Sequence, residues 1–133
     1  GVADVKRVGD DITVIATSSM VSVALKAAER LATEGISAEV IDPRTLSPLD
    51  EATLVDSAKK TSRCIVIDEG YSHFGATAEL AALVSSKAFY HLDAPVERIG
   101  AMDVPVPFSP ILEDQTIPNE ETVVNAARRL VGS

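Results

Sequence analysis

A serine, a histidine and an acid are enough for acyl-transfer chemistry, and Ser18, His73 and Asp68 would supply one such set on paper. His73 also stands close to Asp68 and Glu69 in sequence, where its imidazole would have acids to work with as an acid–base group. Ser18 is not embedded in a nucleophile-elbow sequence, and no spacing rule brings the three side chains together. A second chemistry asks less of the chain. Thr17-Ser18-Ser19 opens a helical pattern, and a helix start offers backbone N–H groups and hydroxyls to an anion. Ser18, Ser19 and His73 are therefore the candidate anion site, with plain helix capping as the competing explanation.

Other chemistries find little to work with. Two histidines and one cysteine, without ligand spacing, do not make a zinc site. His91, after Phe89-Tyr90, reads as a helix-end or interface residue rather than a ligand. No G-x-G-x-x-G follows the first buried strand, and no Walker-type loop is present. A phospho-receiver needs acids at its strand ends, but Asp10 and Asp11 precede the strand that ends in Ala16-Thr17-Ser18. The expectation is a domain with no catalytic, cofactor-binding or metal-binding residue of its own.

Composition narrows the partners. Twenty acidic against twelve basic residues give a net charge of -8, which argues against nucleic acid, since phosphate binding needs a basic face. The acidity suits a basic partner, or simply a solubilising surface. A single cysteine, Cys64, allows no internal disulfide and fits a reducing compartment. No apolar run approaches the length of a membrane span, and no signal peptide is recognisable. The chain starts at Gly1 rather than at a methionine and is expected to be a piece of something longer.

The elements that must position these residues alternate in period. Ile12–Ala16, Ala38–Ile41, Cys64–Ile67 and Val96–Ile99 read as strands. Between them lie helical patterns: Val21, Ala24, Leu25, Ala28 and Leu31 on one face, stopped by Gly35 at C′, then Leu54, Val55 and Ala58 after Pro48 and Asp50. A loop, 71–75, leads into an alanine-rich helix, 76–88, whose small side chains suit close approach to a sheet or to another subunit. Asn119 caps a last helix with Glu120 and Glu121 in its first turn and Val123, Val124, Ala127, Leu130 and Val131 inward. Gly9-Asp10-Asp11 between Val5–Val8 and Ile12–Ala16 is a hairpin signal that predicts an antiparallel edge strand. Asp42-Pro43-Arg44 reads as a turn tied by its acid. The predicted fold is a three-layer α/β/α sandwich, a single domain over 1–133 with a mostly parallel five-stranded sheet and one antiparallel edge strand. Residues 91–114 form a conspicuous connection stiffened by Pro95, Pro105, Pro107 and Pro110, rich in acids and poor in reactive groups. It looks built to be held against something.

The segments EVIDPRTLSPLD (39–50), KTSRCIVIDEG (60–70), FGATAEL (74–80) and LDAPVERIGAMDVPVPFSPILED (92–114) resemble one known domain. It is the C-terminal, transketolase-like domain of the β subunit of thiamine diphosphate-dependent 2-oxo acid dehydrogenases, of the pyruvate and acetoin dehydrogenase type. The resemblance covers essentially the whole chain. It implies a parent subunit with an additional N-terminal pyrimidine-binding domain and an α2β2 heterotetramer that holds thiamine diphosphate and magnesium between α and β. The catalytic and cofactor residues belong to α and to the rest of β, so none maps onto this sequence. The resemblance further implies that this domain packs around the twofold axis and docks the small, basic subunit-binding domain of the lipoyl acyltransferase. Asp93, in the LDAP motif, matches a docking acid, and residues 131–133 lie near the expected carboxyl end of the subunit. The implied location is the cytoplasm in a bacterium and the mitochondrial matrix in a eukaryote, with no nucleic-acid or membrane partner.

Overall fold

The computed structural model describes residues 2–17, 19–44, 48–67, 74–100 and 118–132, with only the backbone described for 74–76. Five strands carry the fold: β1 (Asp4–Arg7), β2 (Ile12–Ala16), β3 (Ala38–Asp42), β4 (Cys64–Ile67) and β5 (Glu97–Ile99). Four helices alternate with them: α1 (Met20–Ala32), α2 (Glu51–Thr61), α3 (Phe74–Lys87) and α4 (Glu120–Val131). The sheet order is β1-β3-β2-β4-β5, with β1 antiparallel to β3 and every other pair parallel.

The period-2 alternation of the strands divides the core into two. Ile12, Val14, Val40, Ile65 and Ile67 face α1 and α4. Ile15, Ile41, Cys64 and Val66 face α2 and α3, where Leu54, Ala58, Leu80 and Val84 meet them. Every residue of β2 and β4 is buried, as parallel strands covered on both sides require. The three-layer architecture predicted from the alternation is the one observed.

The expected hairpin does not form. β1 lies at an edge and is antiparallel, as predicted, but its partner is β3, in the register Asp4 to Asp42 and Val5 to Ile41. β2 already has β3 and β4 as its two neighbours. Residues 9–11 therefore cross the start of β3 instead of closing a tight turn: Gly9 N–H donates to Glu39 Oε1 (3.1 Å) and Asp11 N–H to the Ser37 carbonyl (2.8 Å). Glycine is needed at position 9 because a Cβ there would overlap the backbone of Ala38.

Helix ends mostly follow their sequence signals. Asp50 caps α2 by accepting from Thr53 N–H, and also accepts from Ala3 N–H (3.0 Å), which ties the N-terminal segment down. Those bonds, Thr53's hydroxyl first, hold the Asp50 carboxyl below its ordinary range. Asn119 and Thr122 form a reciprocal capping box at the start of α4. Gly35 (φ 81°) ends α1 in the left-handed region, one position beyond the C′ expected, because Thr33 is the cap residue. α3 begins at Phe74, two residues before the predicted start, and β5 begins at Glu97 rather than Val96.

Candidate docking site

Position 93 is placed by the end of α2. Ser62 takes a left-handed conformation (φ 65°), its N–H closing on the Ala58 carbonyl at 2.8 Å. The reversal turns the Ser62 carbonyl toward the segment after α3, where it accepts Asp93 N–H at 2.8 Å. Asp93 is thus fixed through its backbone, while its side chain stays 59% exposed. Beside it lies the guanidinium of Arg63, held by two carbonyls: Nε donates to Leu130 O of α4 (3.1 Å) and Nη1 to Asp11 O (3.3 Å). Nη2 stands 3.6 Å from Asp93 Oδ2, an ion pair without hydrogen-bond contact.

A short 3₁₀ turn, Phe89–His91, joins α3 to this segment and lifts two aromatic rings into solvent. Phe89 is 65% and Tyr90 95% exposed, and the rings meet edge to face with centroids 5.3 Å apart. Phe89, but not Tyr90, lines a mainly apolar groove of about 360 Å³, together with Ser85, Leu92, Asp93 and the following residues 94–96. Large rings beside an exposed acid make a surface that can bury apolar area and orient a cation at its edge. His91 sits in the same turn after α3 and is exposed.

Of the predicted anion-site residues, only Ser19 is among the described ones. Ser19 is at the N-cap of α1 with helical angles and makes no side-chain cap bond, so ordinary capping by its hydroxyl does not occur. Ser18, Asp68 and His73, and with them the anion site and the paper triad, lie outside the described residues, as do most of the loop 71–75 and the connection from 101 to 117. Asp42 ties its turn as expected, accepting from Arg44 N–H at 2.8 Å.

Three groups escaped the sequence argument. Arg63 precedes an apolar strand, with no pattern to mark its three partners. Phe89 and Tyr90 stand out in the sequence only as the residues before His91. Glu39 is the third: only 4% exposed, it stands in β3 and accepts from Gly9 N–H, from Ser57 Oγ (2.5 Å) and from Lys60 Nζ (2.5 Å). Ser57 continues to Thr13 (2.7 Å) and Thr13 to Thr61 (2.8 Å), so a polar chain runs beneath α2. Burial alone would raise the Glu39 carboxyl, but the bonds from Lys60, Ser57 and Gly9 outweigh it and hold it below the ordinary range. Cys64, fully buried on the same side of the sheet, has its thiol pushed up to about 12 by burial.

Comparison with known proteins decides what this arrangement belongs to. Residues 1–123 match the family described as "Transketolase, C-terminal domain". The chain belongs to that family. This transketolase C-terminal domain is 48% identical, over 99% of its length, to the β subunit of the acetoin:2,6-dichlorophenolindophenol oxidoreductase of Bacillus subtilis, of which it covers 39%. It is 49% identical, over 97% of its length, to the mitochondrial pyruvate dehydrogenase E1 component subunit β-1 of Arabidopsis thaliana, of which it covers 36%. Among solved structures, a split-gene transketolase in an inactive β4 tetramer superposes with a TM-score of 0.76 at 30% identity, covering 98% of this chain and 42% of that one. The domain thus spans well under half the length of the relatives it matches. Among the described residues, no cluster of histidine, cysteine and acid side chains is arranged to hold a metal ion. No chemical step is assigned to the described residues.

Proposed function

We propose that this chain is the assembly and partner-docking domain of the β subunit of a pyruvate dehydrogenase-type enzyme. In this proposal, the parent oxidatively decarboxylates pyruvate and passes the acyl group to lipoyl groups. Thiamine diphosphate and magnesium belong to the α subunit and to the rest of β, within an α2β2 heterotetramer. The partner docked here is the small, basic subunit-binding domain of the lipoyl acyltransferase. An acetoin dehydrogenase parent is the alternative, supported by a 48% identical relative against 49% for pyruvate dehydrogenase. The proposal places the enzyme in the mitochondrial matrix of a eukaryote or the cytoplasm of a bacterium.

The observation that supports docking is the exposed Asp93 at the edge of an aromatic-rimmed groove, on a chain of net charge -8. Buried apolar contacts would supply affinity and the acid would steer and orient a cation. The test is calorimetric titration of the assembled enzyme with the acyltransferase subunit-binding domain at low and moderate salt. Binding should weaken with salt, and Asp93→Ala should weaken it by about tenfold. Binding indifferent to both changes would move docking off this domain and leave it a purely structural part of the tetramer.

A further inference from the structure

Arg63 faces the proposed docking acid from inside the same domain. Its side chain is only 20% exposed, and the carbonyls of Leu130 and Asp11 fix the guanidinium in place. Asp93 is fixed too, but only through its backbone N–H on the Ser62 carbonyl. The pair is therefore asymmetric: the cation cannot leave, while the carboxylate can turn away on its side-chain torsions. At 3.6 Å, the contact is an ion pair that leaves the carboxylate's hydrogen-bonding capacity open to another donor. An incoming cation would meet Asp93 as one end of a dipole rather than as a bare negative charge.

We propose that Arg63 is an internal counter-cation that lowers the affinity of Asp93 for its basic partner, an inference that rests on the docking role of Asp93. Arg63 is a positioning residue in this scheme and touches no partner group. It also joins three parts of the chain at the docking edge: the end of α4 through Leu130, the crossing before β2 through Asp11, and the segment before β5 through Asp93. Each partner molecule that engages Asp93 must share the carboxylate with the guanidinium or turn it away from Arg63.

The experiment is a double-mutant cycle on the assembled enzyme, titrated with the acyltransferase subunit-binding domain. Arg63→Gln keeps a donor for the Leu130 carbonyl and removes the charge. It should bind roughly two- to fivefold tighter than the unmodified enzyme, the range expected of an exposed ion pair. In an Asp93→Asn background, the same substitution should change nothing. Arg63→His adds a readout that a purely structural role would not produce. Its affinity should rise between about pH 6 and pH 8 as the imidazole loses its charge, beyond any change seen with arginine at that position. It also decides the question by itself if the glutamine variant does not fold. Equal effects of Arg63→Gln in both backgrounds, weaker binding by Arg63→Gln, or a histidine variant that follows the arginine enzyme across pH would each overturn the proposal. If Asp93→Asn alone leaves binding unchanged, the docking role of Asp93 falls first, a result distinct from failure of the Arg63 coupling.

Discussion

Lys60 and Arg63 lie three positions apart around the end of α2, and each faces a carboxylate from another part of the chain. Lys60 meets Glu39 inside β3 at 2.5 Å, where the acid is 4% exposed and takes two further hydrogen bonds. Arg63 meets Asp93 at 3.6 Å, where the acid is 59% exposed. The first acid is used up by its own domain, and removing it would strand buried donors. The second is tethered through its backbone and left open at its carboxylate. Two ion pairs from one helix end therefore differ in kind: one is buried and fully bonded, the other leaves an exposed carboxylate.

Substitutions can break or sharpen that contrast. The largest loss should come from Glu39→Ala, about 3 kcal/mol of unfolding free energy in urea titration, because the Gly9 N–H and Ser57 hydroxyl lose their acceptor and Lys60 its counterion. A loss no greater than that of a surface acid would remove the distinction between the pairs. Gly9→Ala follows, at about 2 kcal/mol by the same measurement, since the added methyl meets the Ala38 backbone and pushes away a donor to Glu39. The acid limb of stability should come next. The Glu39 carboxyl is depressed in the fold, so its contribution is present above the unfolded value of 4.5 and is lost as pH falls through the folded one. Thermal midpoints of Glu39→Gln should accordingly fall less steeply below about pH 4.5 than those of the unmodified chain. Smallest of all is Asp93→Asn, expected to cost less than about 0.5 kcal/mol in urea while still weakening partner binding. A large stability loss there would make Asp93 a structural residue like Glu39.

The same contrast separates what could be read in the sequence from what could not. β2 and β4 were legible to the residue, because a covered parallel strand is a continuous apolar run between turn signals. Asn119 and Asp50 were legible because capping is local chemistry. The partner of β1 was not: Gly9-Asp10-Asp11 has the look of a tight turn, and only the crowding of β2 by two parallel neighbours sends β1 to β3. Glu39 left a trace, a carboxylate amid the apolar side chains of Ala38, Val40 and Ile41, with Ser57 and Lys60 one helical turn apart on α2. The proposed docking edge left less. Asp93 came to notice through family resemblance alone, and Arg63 is joined to it by a left-handed Ser62 that no local signal announces. Ser18 and His73, drawn from residue types without spacing, lie outside the described residues.

The buried thiol of Cys64 has a kinetic consequence. Only a thiolate reacts readily with alkylating reagents, and this sulfur lies sealed between the sheet and the α2–α3 layer, with its ionisation raised to about 12. Labelling must therefore wait for the α2–α3 layer to lift from the sheet or for the domain to unfold. As the chain holds one cysteine, each modified molecule records one such opening. The native sequence carries its own stopwatch, which times how often the helix layer over β4 opens.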